Sequence, residues 1–299
     1  MTADTRRQPV APEQPRRVDR KRPAAPPSVF DAPAPRVPSP DALAAAETVA
    51  SRVRDRDAQV RRLFIERDDI GTTPPLALML RGGRGGSVRL RLYLSLLWFA
   101  ANPPYDVTYP SRAWAVLLDL ADPDAAGARR VAAAFTWLAE HRFIESVPRP
   151  GQPSEITLLN ESGSGAAYSV PGAAWRTLKD GDVLRAKHRY VRLPSEFWTS
   201  GHMAVLSGPA VAMYLILLTE VRQGDVAKQK LWIAPSVADN RFALSEDTRS
   251  SGLRELVRSG LVRVERQTVR PSAFDFHRQR NVYRLRPARL DKPARVPAQ

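Results

Sequence analysis

Apolar residues along the chain recur first at helical and then at strand spacing, and the order of these segments repeats. From Pro40, the residues Leu43, Ala46, Val49, Val53, Val60 and Leu63 follow mostly helical spacing. Ser39-Pro40 ahead of them makes an N-cap and first-turn pair. The glycine-rich stretch RGGRGGS, Arg81–Ser87, interrupts the pattern, and Ser87 is placed to cap the next helix. Such a loop before a helix can cradle phosphate, but no run of strong β-formers leads into it and no Gly-Lys-Ser/Thr comes after it. It reads as a flexible turn.

From Ser87 the segments come in an informative order. SVRLRLYLSLLWFAAN predicts a helix with Leu90, Tyr93, Leu94, Leu97 and Trp98 on one face. YDVTYP is a short extended piece, and SRAWAVLLDL a second helix capped by Ser111 behind Pro110. ADPD is a turn in which Asp124 can cap a third helix, AAGARRVAAAFTWLAEH. FIESV and EITLLN then predict two strands joined by the Pro/Gly turn PRPGQPS. About 120 residues later the order returns, YLSLL at Tyr93 being echoed by YLILL at Tyr214. LWIAPSVADNRFAL gives the short strand and second helix, and SEDTRSSGLRELVRSG the third helix. Ser245 caps that helix, Glu246 and Asp247 suit its positive end, and Leu253, Leu256 and Val257 form its inward stripe. Gly260 lets the chain leave in a left-handed turn with Leu261 behind it. LVRVERQTVR and NVYRLRP are the last two strands, joined by PSAFDFHRQR.

The expected organisation is therefore an arm at 1–40, a helix and glycine-rich linker at 41–86, a first domain at 87–160, a hinge at 161–184, a second domain at 185–290 and a tail at 291–299. The arm holds ten of the 27 prolines and too little apolar surface to offset its ordering entropy, which predicts disorder. Between the domains, HRYVRLPSEFWTSGHM predicts a strand and a short helix with Phe197 and Trp198 in the core. Helix, strand, helix, turn, helix and hairpin is the order of a winged helix. The two segments, from Ser87 to Pro287, resemble tandem winged-helix DNA-binding proteins, in particular plasmid replication initiators with two such domains in one chain. The segments ARRVAAAFTWLAEHRFI and SEDTRSSGLRELVRSGLV carry that resemblance. It implies an α+β fold and contact with double-stranded DNA through each third helix and wing.

Charge adds a partner to this picture. The net charge is +15, and only six of the 46 cations are Lys. GC-rich codons account for the choice of Arg over Lys, but not for the excess of positive charge, which points to nucleic acid. From Ser87 to Asn160, seven Arg balance seven acids; from Arg185 to Leu290, nineteen cations face nine acids. The second domain is thus expected to dominate DNA affinity, which scales with phosphates neutralised. Candidate DNA contacts there are Arg249, Ser250, Ser251, Arg254 and Arg258 on the third helix, and Arg266, Arg270, Arg278 and Arg280 on the wing. Arg129 and Arg130 are the counterparts in the first domain, whose neutral balance suits protomer contacts in a homodimer.

Catalytic chemistry finds little support. There is no cysteine, and His141, His188, His202 and His277 stand singly, so no metal site, cofactor or enzyme activity is expected. Gly163-Ser164-Gly165 lacks nucleophile-elbow spacing, and Asp119, Asp122 and Asp124 lack the glycine and distal acid of a cation loop. No small-molecule substrate is evident. Apolar runs are about half a membrane span, and no secretion signal opens the chain, so a cytoplasmic protein associated with nucleoid or plasmid is expected. The role expected is a replication initiator binding repeated sites; the alternatives are a winged-helix transcriptional regulator and a protein-interaction scaffold.

Overall fold

Ser39 and Pro40 start a helix as their pairing predicts: the Ser39 hydroxyl accepts from the Ala42 backbone N–H at 3.2 Å. This helix, α1 (Pro40–Val53), buries Ala42, Ala46, Val49, Ala50 and Val53. It stops ten residues before the expected end, because Arg54 turns left-handed. Val60 instead lies in a strand, β1 (Ala58–Arg61), followed by the short helices α2 (Arg62–Ile65) and α3 (Pro75–Leu80). The computed structural model describes residues 34–298 except 55, 69–71, 101, 181 and 270–277, and residues 34–298 form one compact α+β unit.

The glycine-rich turn is shorter than expected. Gly82 and Gly83 take positive φ, and α4 (Arg84–Phe99) begins directly after them. Ser87 is thus inside the helix, and its hydroxyl accepts from the Gly208 N–H at 2.8 Å instead of capping. Gly86 lets α4 approach α3, since a Cβ there would lie 2.7 Å from the Leu80 carbonyl oxygen. Helix α4 is buried on more sides than the one predicted: Leu92 and Leu96 are as inaccessible as Leu90, Tyr93 and Leu94.

Next come β2 (Asp106–Val107), α5 (Ser111–Leu117), α6 (Ala126–Glu140), β3 (Ile144–Arg149) and β4 (Gln152–Leu158). Strand β4 lies centrally, pairing antiparallel with β2 through Val107–Ile156 and with β3 through Ile144–Leu158. Two expected caps differ. Pro110, not Ser111, precedes α5, and Asp122 rather than Asp124 accepts from the first α6 N–H, that of Ala126, at 2.9 Å. Asp124 is paired with Arg112 at 3.1 Å instead.

The segment expected to be a hinge is anchored in the interior. Glu161 is fully buried and ion-paired with Arg61, itself 1% exposed. Glu161 also accepts from the Arg61 N–H at 3.1 Å, and the Arg61 guanidinium donates to the Ser169 carbonyl at 2.7 Å. Burial raises the Glu161 pKa, with Arg61 pulling it the other way. The chain continues through α7 (Pro171–Thr177), α8 (Val183–Lys187) and β5 (Tyr190–Leu193), which pairs antiparallel with β1. Helices α9 (Glu196–Thr199) and α10 (His202–Val205) come after it.

The predicted core aromatics lie where the two halves meet. Phe197 and Trp198 are buried, and Trp198 stacks on Trp98 of α4 at 4.6 Å between centroids. Its indole N–H donates to Ser95 at 2.9 Å. Nearby, the buried Arg91 donates to the carbonyls of Leu118 at 3.2 Å and Ala204 at 2.8 Å, joining the first half to α10.

The second half repeats the first in order: α11 (Gly208–Thr219), an extended stretch at Leu231, α12 (Pro235–Phe242), α13 (Glu246–Arg258), β6 (Val262–Val269) and β7 (Arg278–Leu285). Leu231 exchanges two 2.8 Å hydrogen bonds with Tyr283, so β7 is flanked by Leu231 and β6 just as β4 is flanked by β2 and β3. The arm expected to be disordered lies outside the described residues up to position 33; the described ends on either side of the body are tied to it. Arg36 and Val296 exchange 2.9 Å backbone bonds, and the Ala294 N–H donates to the Ser200 carbonyl at 2.8 Å.

Candidate nucleic-acid interface

The geometry of α13 decides which of its polar residues face outward. Ser245 accepts from the Thr248 N–H at 3.2 Å, Glu246 and Asp247 occupy the first turn, and Gly260 leaves at φ 78°, all as the sequence predicts. The buried side is made by Gly252, Glu255, Leu256 and Ser259, while Leu253 is only half-buried at its margin and Val257, also half-buried, falls beside Ser250. At about 100° per residue, Ser250 and Arg254 fall on the opposite side, and both are exposed. The Arg254 Nε donates to the Ser250 carbonyl at 3.3 Å, which lays the side chain along the helix. Arg258 and Ser251 are half-buried on one flank. Arg249, expected among the DNA contacts, is half-buried on the other flank, rotated toward the core.

Glu255 is the residue the pattern missed. It is 5% exposed and accepts from the Ser207 N–H at 2.9 Å, the Ser207 hydroxyl at 2.5 Å and the Arg36 guanidinium at 2.6 Å. The carboxylate thereby ties α13 to the positive N-terminus of α11. Three residues earlier, Gly252 brings the two helices together: a Cβ there would lie 2.3 Å from the Pro209 carbonyl oxygen. The outward face of α13 is therefore rigidly set.

In the β6–β7 hairpin, register divides the predicted wing cations. Arg263 opposes Arg284 and Gln267 opposes Arg280, which puts Arg263, Arg280 and Arg284 on one face. Arg266 opposes Asn281 on the other face and is exposed. Arg284 pairs with Glu265 at 3.2 Å, and Arg263 approaches the same carboxylate at 3.7 Å. Arg280 donates to Gln267 at 3.2 Å and lies over the Trp232 ring, 4.6 Å from its centroid. Arg270 is outside the described residues; the backbone of Arg278 takes its strand position opposite Val269. Trp232, 44% exposed, is not legible in the sequence because LWIAP looks like an ordinary core strand.

The first half presents a different surface. Arg129 is exposed at the centre of the outward face of α6, among Ala132, Ala133 and Thr136. Arg130 is exposed toward the flank, close enough to disfavour the charge on Arg91, whose pKa burial chiefly pulls down to about 10. The β3–β4 hairpin carries Glu145 and an Arg149–Glu155 ion pair, so its charges are nearly balanced. Arg129 and Arg130 thus lie on α6, a different element from those that carry the basic cluster of the second half.

Among the described residues, no group of three or more His, Asp or Glu is gathered as for a metal ion, and no helix is long and apolar enough to cross a membrane. The chain matches no family model, no curated protein and no solved structure.

Proposed function

We propose that this chain binds double-stranded DNA through its second half, with two winged helices in tandem as its working units. The observation that carries the reading is the outward side of α13. It presents Ser250 and Arg254 to solvent, with Arg258 beside them, and runs through Gly260 into a hairpin bearing Arg263, Arg266, Arg280 and Arg284. Cations continuing from a helix into the adjoining hairpin, with Arg254, Arg263 and Arg266 exposed among them, fit a helix in a groove and a wing along the phosphates. The first turn of α13 carries Glu246 and Asp247, which repel phosphate, so contact starts at its second turn. In this reading Arg249 supports the helix from behind.

The first half, with a nearly uncharged α6 face around Ala132, Ala133 and Thr136, serves protomer contacts more than phosphate contacts. One basic unit and one neutral unit suit an initiator that grips repeated sites as a homodimer. A transcriptional regulator would use the same grip at scattered promoters, which genome-wide mapping of bound DNA distinguishes: clustered repeats beside an origin support the initiator.

The test of DNA binding is fluorescence anisotropy with duplex DNA at several salt concentrations. Full-length protein should lose affinity steeply as salt rises, because each neutralised phosphate releases counterions. Arg254→Ala should weaken binding by about 1–3 kcal/mol if the side chain reads a base, and Arg129→Ala much less. Salt-independent or absent binding overturns the reading.

A further inference from the structure

We propose that the Trp232 face of the β6–β7 hairpin binds single-stranded DNA, with the indole stacking on a base and the surrounding cations following the backbone. The proposal rests on the nucleic-acid reading above; it shares the wing cations Arg263, Arg280 and Arg284 with that reading and adds Trp232, which duplex binding does not use.

Trp232 is held open by its neighbours. Leu231, 4% exposed, is fixed to Tyr283 by the paired backbone bonds and turns its side chain inward. Strand alternation then sends Trp232 to the opposite face, the one carrying Arg263, Arg280 and Arg284. Trp98, Trp114 and Trp198 are buried, and Trp137 and Trp175 are half-buried, so Trp232 is the one exposed tryptophan among the described residues. A single exposed ring is by itself ordinary on a protein surface; what sets Trp232 apart is the cationic face it stands on and the guanidinium over it.

The surroundings select the partner. Arg280 covers the ring at 4.6 Å and is itself held by Gln267, giving a preset stack of guanidinium and indole. Lys230 lies exposed two residues before Trp232. Along the same face, Arg263, Arg284, Lys228 and Arg280 outnumber the carboxylates of Glu265 and Asp225. A cleft of about 480 Å³ lined by Ala227, Arg263, Glu265, Arg284 and Arg286 shares Arg263 and Arg284 with this face. The charge calls for a polyanion. The exposed indole calls for one with free base faces, which a duplex hides within its stack and a single strand offers.

The experiment is anisotropy titration of full-length protein against labelled oligo(dT) and a duplex of equal length, with tryptophan quenching followed in parallel. Wild type should bind both. Trp232→Ala should weaken oligo(dT) binding roughly 5- to 150-fold while leaving duplex affinity within about twofold. Trp232→Phe, which keeps an aromatic face and guards against misfolding of the alanine variant, should retain most of the affinity. Unchanged oligo(dT) binding in Trp232→Ala, or equal weakening of both ligands, overturns the proposal. Duplex binding without oligo(dT) binding by wild type also overturns it and leaves the groove-binding helix standing. Binding of neither form sinks both readings, and leaves this face to an acidic protein partner.

Discussion

Replacing Gly252 with Ala tests the packing that sets the orientation of α13. By helix propensity alone the change stabilises, since Ala is favoured over Gly by about 0.5–1 kcal/mol inside a helix. The structure predicts the opposite sign. The added Cβ would stand 2.3 Å from the Pro209 carbonyl oxygen and 2.7 Å from its carbonyl carbon, with the Met213 Cγ at 2.9 Å. Two of those atoms are backbone, so α13 and α11 must move apart. Overpacking of this kind costs about 1–3 kcal/mol, and it strains the adjacent Glu255–Ser207 hydrogen bonds. After the propensity gain, the net loss should be about 1–2 kcal/mol, and each kcal/mol lowers Tm by about 2–4 °C in a chain of this size. Differential scanning calorimetry of wild type, Gly252→Ala and Gly85→Ala provides the assay. Gly85 is the matched control: it is helical and exposed, and a Cβ there meets nothing nearer than the Arg89 guanidinium at 4.0 Å. Gly85→Ala should leave Tm unchanged or slightly raised. A Gly252→Ala protein melting at or above the wild-type temperature would refute the close approach and, with it, the fixed orientation of Arg254.

Glu161→Gln should cost about 3–5 kcal/mol in chemical denaturation, because it leaves the Arg61 guanidinium buried without its counter-charge; a loss below about 1 kcal/mol would argue that Arg61 escapes to water. His202 is 1% exposed, and burial holds its pKa down to about 4. Between that value and the ordinary 6.5 the unfolded chain binds the proton and the folded chain does not, so this residue's contribution falls as pH drops through the window. From pH 7 to 5 the loss is about 2 kcal/mol. His202→Gln should flatten the stability profile by that amount, and parallel profiles for wild type and variant would show that His202 does not titrate this way.

What the sequence by itself determined about this protein is what neighbours along the chain decide. Ser39 and Ser245 cap helices through N–H groups three residues on. Gly260 ends α13 because φ 78° suits a residue without Cβ, and alternating residues around Val262 and Val282 make a hairpin. These short-range effects were enough to read a repeated order of helices and strands and an α+β class. Only the tertiary structure decided what distant segments do to one another. Glu161 reads as the polar edge of a Gly/Ser hinge until Arg61, 100 positions earlier, is brought to it. Glu255 reads as a solvated acid until Ser207 and Arg36 meet it, and that contact rotates Arg249 away from the face left to Ser250 and Arg254. Helix α4 looks one-sided in sequence but is covered on further sides because the other half packs against it through Trp198. Trp232 looks like core until strand register points it outward beside Arg280. Caps and turns are fixed within a few bonds of chain, so they are written locally; burial and charge pairing depend on which surfaces fold together, and a one-residue change of register or a turn of helix reassigns them.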